Sequence, residues 1–372
     1  MTSSADVIEY SRYTLGDFTV SQQVTTGNFI IYVFELAILL VSLLTNAAFF
    51  GILLTTRVLH LNLRILLLNT CIAYIFYIFS RFMIVIPLCV AHLFDTDISS
   101  ISFCYVGKTI HDTVMVVAAS SFLTMMIERV FATAKVATYE IYKSCKISVL
   151  LLGFQWLFAI GITVINQIDV ASLPLIYPRL PCQIEYSTGR VVGVVALLTV
   201  VANIFALVGL IWVFKLNFRK YSKRNAHVFP HLTERYQVSE NVRSTRMLAP
   251  MLITVFTFSI IGSVLLILTA YSVMALRDPN DRKRAEEIAN FIGRGGEMMQ
   301  AQDISCAIST LAFSVALRFH PTLYKNFKSI FCGEPKRKPQ NLLRRLDGSL
   351  MPMTYNHQFE KHFTDLRKMW KS

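Results

Sequence analysis

Charge is scarce in this chain. Of its 372 residues only 16% are charged, whereas soluble domains carry about 25%, and 54% are hydrophobic. An ordinary soluble domain is excluded. The seven cysteines are scattered without C-x-x-C or Cys/His spacing, so neither a metal site nor a redox motif is expected, and no cofactor is implied. No H-E-x-x-H or paired intramembrane His/Asp set marks a membrane enzyme, so no catalytic residue is assigned. No internal duplication of the kind that builds transporters from two inverted halves is visible. Residues 1–26 lack the basic start and short apolar core of a cleavable signal peptide, and no N-x-Ser/Thr acceptor for N-glycosylation occurs.

What the chain has in abundance is long apolar runs. Seven fall near 28–54, 65–89, 104–127, 147–167, 191–214, 248–275 and 298–319. They are close to the twenty residues that an α-helix needs to cross a bilayer. They are too long for strands of an outer-membrane barrel, and they do not alternate. The expected fold class is therefore all-α and integral to the membrane, a seven-transmembrane helix bundle whose spans satisfy their own backbone hydrogen bonds. The seventh run is the least regular, because Glu297, Asp303 and Arg318 fall in or beside it.

The net charge is +13. In a soluble chain that would suggest nucleic acid; here it fits the Lys and Arg that collect in cytoplasmic loops, and no nucleic-acid partner is expected. The connections 55–64, 128–146, 215–247 and 318–372 carry 26 Lys and Arg, against 8 for the N-terminus and the other three. Leaving out the C-terminal tail, the count is still 14 against 8. The N-terminus is expected outside and the C-terminus in the cytoplasm. The chain then divides into an extracellular 1–27, a seven-span domain with its short amphipathic helix at 28–331 and a cytoplasmic tail 332–372.

The third run is the most informative. Cys104 opens it on the outer side and Glu128-Arg129 closes it on the inner side, roughly 38 Å apart along a helix. Cys104 and Cys182 are the two cysteines placed outside, where disulfides persist. A bridge between them would tie the second outer connection to the top of the third helix; the competing state is two free thiols. A carboxylate beside an arginine at an inner helix end can hold the arginine in one state and release it in another. The bland alternative is an interfacial pair that snorkels to the lipid surface.

Ionisable residues within spans are costly and mark functional candidates. Glu35, Arg81, Lys108 and Asp112 all fall roughly 6–12 Å below the outer surface, and Asp303 of the seventh run can join them. Lys108 and Asp112 are one turn apart and can pair. Either these charges satisfy one another and hold the helices in register, or they form the wall of an outer ligand pocket, lined also by His111, Tyr105 and Tyr271. At the other membrane face, Phe319, Leu323, Phe327 and Ile330 share one side of a short helix after the last span, with Lys325 and Lys328 off it, an amphipathic segment suited to lying on membrane lipid. Cys332 directly after it is a lipidation candidate.

The Glu128-Arg129 pair stands at the separation from Cys104 found in rhodopsin-like receptors. His320-Pro321-Thr322-Leu323-Tyr324 resembles their Asn-Pro-x-x-Tyr motif, with histidine in place of asparagine. MIERVFATAKVATYE after the third span and LTERYQVSENVRSTRML before the sixth resemble nematode serpentine chemoreceptors, particularly class epsilon (Sre), with class alpha (Sra) second; the tail HFTDLRKMW is similar too. The resemblance implies a G-protein-coupled receptor for an extracellular chemical cue, multi-pass in the plasma membrane of sensory neurons, with an unknown small-molecule ligand and a heterotrimeric G protein as partners. Glu128, Arg129, Arg243, Pro321 and Tyr324 become its switch and coupling residues; pairing with a second receptor is left open. The sequence departs from the rhodopsin-like pattern in two places. The second span has no Asp for the sodium site of many rhodopsin-like receptors, Asn69 being the nearest polar residue, and the sixth lacks the Cys-Trp-x-Pro switch. The main rival is a seven-span ligand-gated channel of inverted topology, with its N-terminus inside; a transporter comes third.

Overall fold

A helix crossing lipid must hold its own backbone hydrogen bonds, and a run that is apolar on every side has no reason to turn one face inward alone. The computed structural model follows that logic throughout the residues it describes, which are 26–56, 59–94, 102–135, 145–171, 189–222, 232–276 and 303–331. Among them there is helix and no strand. Six long helices come first: α1 (Thr26–Thr55), α2 (Leu61–Phe94), α3 (Ser102–Ala134), α4 (Lys146–Ala171), α5 (Gly189–Ser222) and α6 (Leu232–Leu276). Each contains a stretch long and apolar enough to cross a membrane. Their outward faces carry large apolar side chains, such as Leu150 at 74% and Leu157 at 72% exposure. In water such a surface would be an aggregation liability; in lipid it is the matching solvent.

The expected seventh segment, 298–319, is not one uninterrupted helix. From residue 303 it is two short pieces, α7 (303–309) and α8 (Ala312–Leu317). The cause is local competition for one carbonyl. Ala307 O accepts the Thr310 hydroxyl at 2.7 Å, the Thr310 N–H at 3.2 Å and the Ser42 hydroxyl of α1 at 2.8 Å. The Leu311 N–H turns instead to Ile308 O at 2.9 Å, a bond across three residues rather than four. Serine and threonine hydroxyls offer the backbone that alternative.

A second break follows at Arg318–His320, and α9 (Pro321–Phe331) begins there. Pro321 inside a continuous helix would kink it. It stands instead at the first position of a new one, where its missing N–H has no partner to lose. His320 N bonds back to Leu317 O at 3.1 Å, and Tyr324 N opens the next ladder on His320 O at 3.0 Å. The chain divides into two compact units, Met1–Tyr324 and Lys325–Ser372.

Within the first unit α3 is central, packing against α2, α4, α5 and α6, while α8 packs against α6 and α1. Lipid supplies no hydrophobic drive between helices, so close approach and interhelical hydrogen bonds carry the association. Gly107 lets α3 lie against α2: a Cβ built there would stand 3.0 Å from Met83 Cβ and 3.4 Å from Ser80 O. Asn46 Nδ2 donates to Cys71 O at 2.8 Å, joining α1 to α2. Gln155 Nε2 donates to Val117 O at 2.6 Å and Trp156 Nε1 to Asn69 Oδ1 at 2.9 Å, joining α4 to α3 and α2. Asn69 is thus part of a structural clasp. On the far side, Asn203 Nδ2 reaches Ser259 Oγ at 3.0 Å between α5 and α6.

Candidate functional site

Two clusters of buried polar groups lie along α3, one toward each end. At the Cys104 end, six ionisable side chains from four elements meet. Arg81 of α2 holds Glu35 of α1 through Nη2–Oε1 at 2.8 Å and Asp303 of α7 through Nη1–Oδ2 at 2.8 Å. Lys108 and Asp112, one turn apart on α3, pair at 2.7 Å. Between the two pairs stands His111, with Nδ1 3.3 Å from Asp112 Oδ1 and Nε2 3.2 Å from Asp303 Oδ1. Both ring nitrogens therefore face carboxylate oxygens, and imidazole donates from both only as the imidazolium. Tyr77 Oη adds a bond to Asp303 O at 2.7 Å.

The geometry sorts the sequence candidates. Glu35, Arg81, Lys108, His111, Asp112 and Asp303 come together. Arg81 pairs with Glu35 and Asp303, not with Asp112, which stood at matching depth. The helical positions of Cys104, Tyr105 and Tyr271 are described, but their side chains are not. Cys182 and Cys332 lie outside the described residues, so the expected bridge and the lipidation site do too. Much of the network is internally satisfied, as the structural alternative required, yet Glu35 Oε2 and Asp112 Oδ2 are buried without a hydrogen-bond partner.

Directly beside this network is a cavity of about 170 Å³. His111, Asp112 and Asp303 form its polar side; Val116, Ile162, Val195 and Phe258 are among its apolar walls. It draws on α2 through α7. The sequence reading missed the contributions of α4 and α5 entirely. Single polar residues in otherwise apolar runs, Thr163 and Asn166 of α4 and Thr199 of α5, were the available signal.

The second cluster lies at the other end of α3. Glu128 and Arg129 are almost fully buried, at 0% and 1% exposure, which removes the interfacial snorkelling alternative. Arg129 Nε donates to Glu128 Oε2 at 2.5 Å and Nη2 to Oε1 at 2.6 Å, a two-pronged charge-assisted contact. Its remaining arm, Nη1, donates to Asn241 Oδ1 at 3.1 Å and Ser244 Oγ at 3.0 Å on α6. Asn241 and Ser244 were not singled out from sequence, although they sit one turn apart in the quoted SENVRS stretch. Arg243 is half-buried on the same helix, and none of these bonds reaches it. Thr133, next along α3, accepts from Asn217 Nδ2 of α5 at 2.8 Å.

His320 completes this end. It is fully buried, its Nδ1 faces the Leu323 N–H at 3.4 Å as a cap for α9, and its Nε2 lies 3.6 Å from Glu240 Oε1. An asparagine at this position could cap but could not reach α6 in the same way. Tyr324 is half-buried on the first turn of α9. His60, in the connection before α2, has its basicity lowered by burial; Glu128 opposes that shift and Arg129 adds to it.

A multi-pass helical protein with a buried charge network beside a cavity at one end, and an arginine held between α3 and α6 at the other, has the layout of a membrane receptor. Comparison with known proteins supplies the family. Residues 17–289 match the serpentine type 7TM GPCR receptor class ab chemoreceptors. A Caenorhabditis elegans protein named as a probable G-protein coupled receptor is 35% identical over 370 residues, covering 98% of each chain. The chain belongs to the class ab serpentine chemoreceptor family. It is a G-protein-coupled chemosensory receptor, in a family of receptors and not of enzymes. The expected class epsilon assignment is corrected: the superfamily reading stands and the class is ab. The quoted motifs cover only about forty residues, too few to separate related classes.

Proposed function

We propose that the receptor takes its chemical cue in the cavity beside His111, Asp112 and Asp303 and passes the signal down α3 and α6 to Arg129. The N-terminus and that cavity face outward, residues 298–319 form the seventh span, and the plasma membrane is the site of action. The loop-charge asymmetry supports the orientation. The observation that carries the mechanism is that α3 bears both ends. Asp112 lines the cavity, and Arg129 lies about 26 Å further along the same helix, tied to α6 through Asn241 and Ser244. A ligand that repacks α6 against α3 in the cavity changes the contacts that hold Arg129, and freeing it opens an inner surface for a G protein. Glu128, Arg129, Arg243, Pro321 and Tyr324 serve that switch.

The test is expression in cultured cells with a G protein and a second-messenger readout, screened against a chemical panel. A cue that raises second messenger in the wild type should fail in Arg129→Ala at equal surface expression. An unchanged response in Arg129→Ala overturns the proposed switch.

A further inference from the structure

The inner part of α6 grips more than α3. Asn241 and Ser244 hold Arg129, and Ser244 Oγ also donates to Glu240 O at 2.8 Å. The Glu240 side chain, one residue before Asn241, turns to a different segment. Its Oε1 lies 3.6 Å from Nε2 of His320, at the break between α8 and α9. Both residues are buried, His320 completely and Glu240 at 8% exposure. Neither of the two facing atoms has a hydrogen-bond partner among the described residues.

The tautomer follows from the other ring nitrogen. His320 Nδ1 accepts from the Leu323 N–H at 3.4 Å, so the ring proton sits on Nε2, facing Glu240 Oε1. An N–H and a carboxylate oxygen thus stand just beyond hydrogen-bond length, each without another partner. Taking either one away strands the other in a buried place, which is costly. Moving α6 outward instead delivers Glu240 to water. It also frees a break where Phe319 and His320 already bond back across three residues rather than four. We propose that Glu240 and His320 are positioning residues of the switch, a second latch that keeps α6 in its resting place beside the Arg129 contacts. The same stretch of α6 is fastened to α3 on one side and to the last segment on the other, and the two fastenings open together. Histidine suits the position because it does two things at once. An asparagine would cap α9 and fall short of α6. The inference rests on the proposed α6 switch.

The experiment measures ligand-independent second messenger from the full-length receptor in cultured cells with a G protein, at matched surface expression. His320→Asn keeps a cap for α9 and gives up the reach to α6. Glu240→Met keeps the length of the side chain and removes the carboxylate. Each should raise the basal signal about threefold or more, the scale of one lost buried contact. The double variant should rise no further than the larger single, because both changes open the same latch. Glu240→Ala carries the same expectation and keeps the test decisive if Glu240→Met does not reach the surface. An unchanged or lower basal signal in either single variant, or a double that rises beyond the larger single, overturns the proposal. Asn241→Ala with Ser244→Ala, run alongside, separates the latch from the Arg129 switch. A rise there with none in the His320 and Glu240 variants removes the latch and leaves the switch. The converse removes the role given to the Arg129 contacts and leaves the latch standing.

Discussion

At the scale of single residues, the molecule concentrates its risk in a few buried charges. Arg81 neutralises two carboxylates at once, at 2.8 Å each. Removing one partner from such a buried set leaves the others uncompensated, a loss of about 3–5 kcal/mol. Arg81→Ala should therefore sharply lower surface expression and unfolding temperature, and Glu35→Gln added to it should recover part of the loss, measured as a double-mutant cycle. A mild effect of Arg81→Ala would mean that water reaches the pair. Arg129 illustrates a different use of burial. Its bond to Glu128 lies within α3, whereas its bonds to Asn241 and Ser244 cross to α6. Asn241→Ala together with Ser244→Ala should leave the α3 pair intact and loosen α6, raising signalling without ligand. Basal second messenger at matched expression is the measurement, and a fall would reverse the assigned role.

At the scale of elements, the helices are held by contact and by sparse hydrogen bonds, so glycine positions separate packing from propensity. Gly107→Ala would press a methyl against Met83 Cβ at 3.0 Å, Ile84 Cγ1 at 3.3 Å and Ser80 O at 3.4 Å. A Cβ and a backbone oxygen cannot swing aside, so α2 and α3 must part, costing about 1–3 kcal/mol. Gly153→Ala is the control, since nothing lies within 4 Å of its added methyl. It should be neutral or slightly stabilising through the better helix propensity of alanine. Thermal unfolding of the two variants in nanodiscs tests the difference, and equal melting temperatures would refute the packing account. The break at Thr310–Leu311 is also an element-scale feature. It arises because Ser42 of α1 and Thr310 share the Ala307 carbonyl, a meeting that hydropathy along the seventh segment cannot register.

At the scale of the whole molecule, the topology and the expected Cys104–Cys182 bridge are open to direct measurement. An epitope on the N-terminus should be reached by antibody on intact cells and one on the C-terminus only after permeabilisation; the opposite pattern would reverse the orientation. Non-reducing mass spectrometry should find Cys104 and Cys182 joined, and two free thiols would remove the roof from the proposed outer pocket. Much of this scale is legible in the chain itself. Six of the seven apolar runs appear as membrane-length helices because a run of some twenty apolar residues has one low-energy solution in lipid, and that solution is local. That Glu35, Arg81, Lys108 and Asp112 fall at a similar level of the bundle follows from helical rise alone. Which of them pair does not: Arg81 chooses Glu35 and Asp303 over Asp112 because of how α1 and α7 pack beside α2. The same holds for the cavity, whose walls come from six helices, and for Arg129, whose partners on α6 lie more than a hundred residues away in the chain. The sequence by itself thus determined the helical class, six membrane-length helices and the charged ends of α3, all of which depend on neighbours along the chain. Only the tertiary structure decided the pairing of the buried charges, the break in the seventh segment and the carboxylate wall of the cavity, because those depend on which side chains the packed helices bring within hydrogen-bond reach.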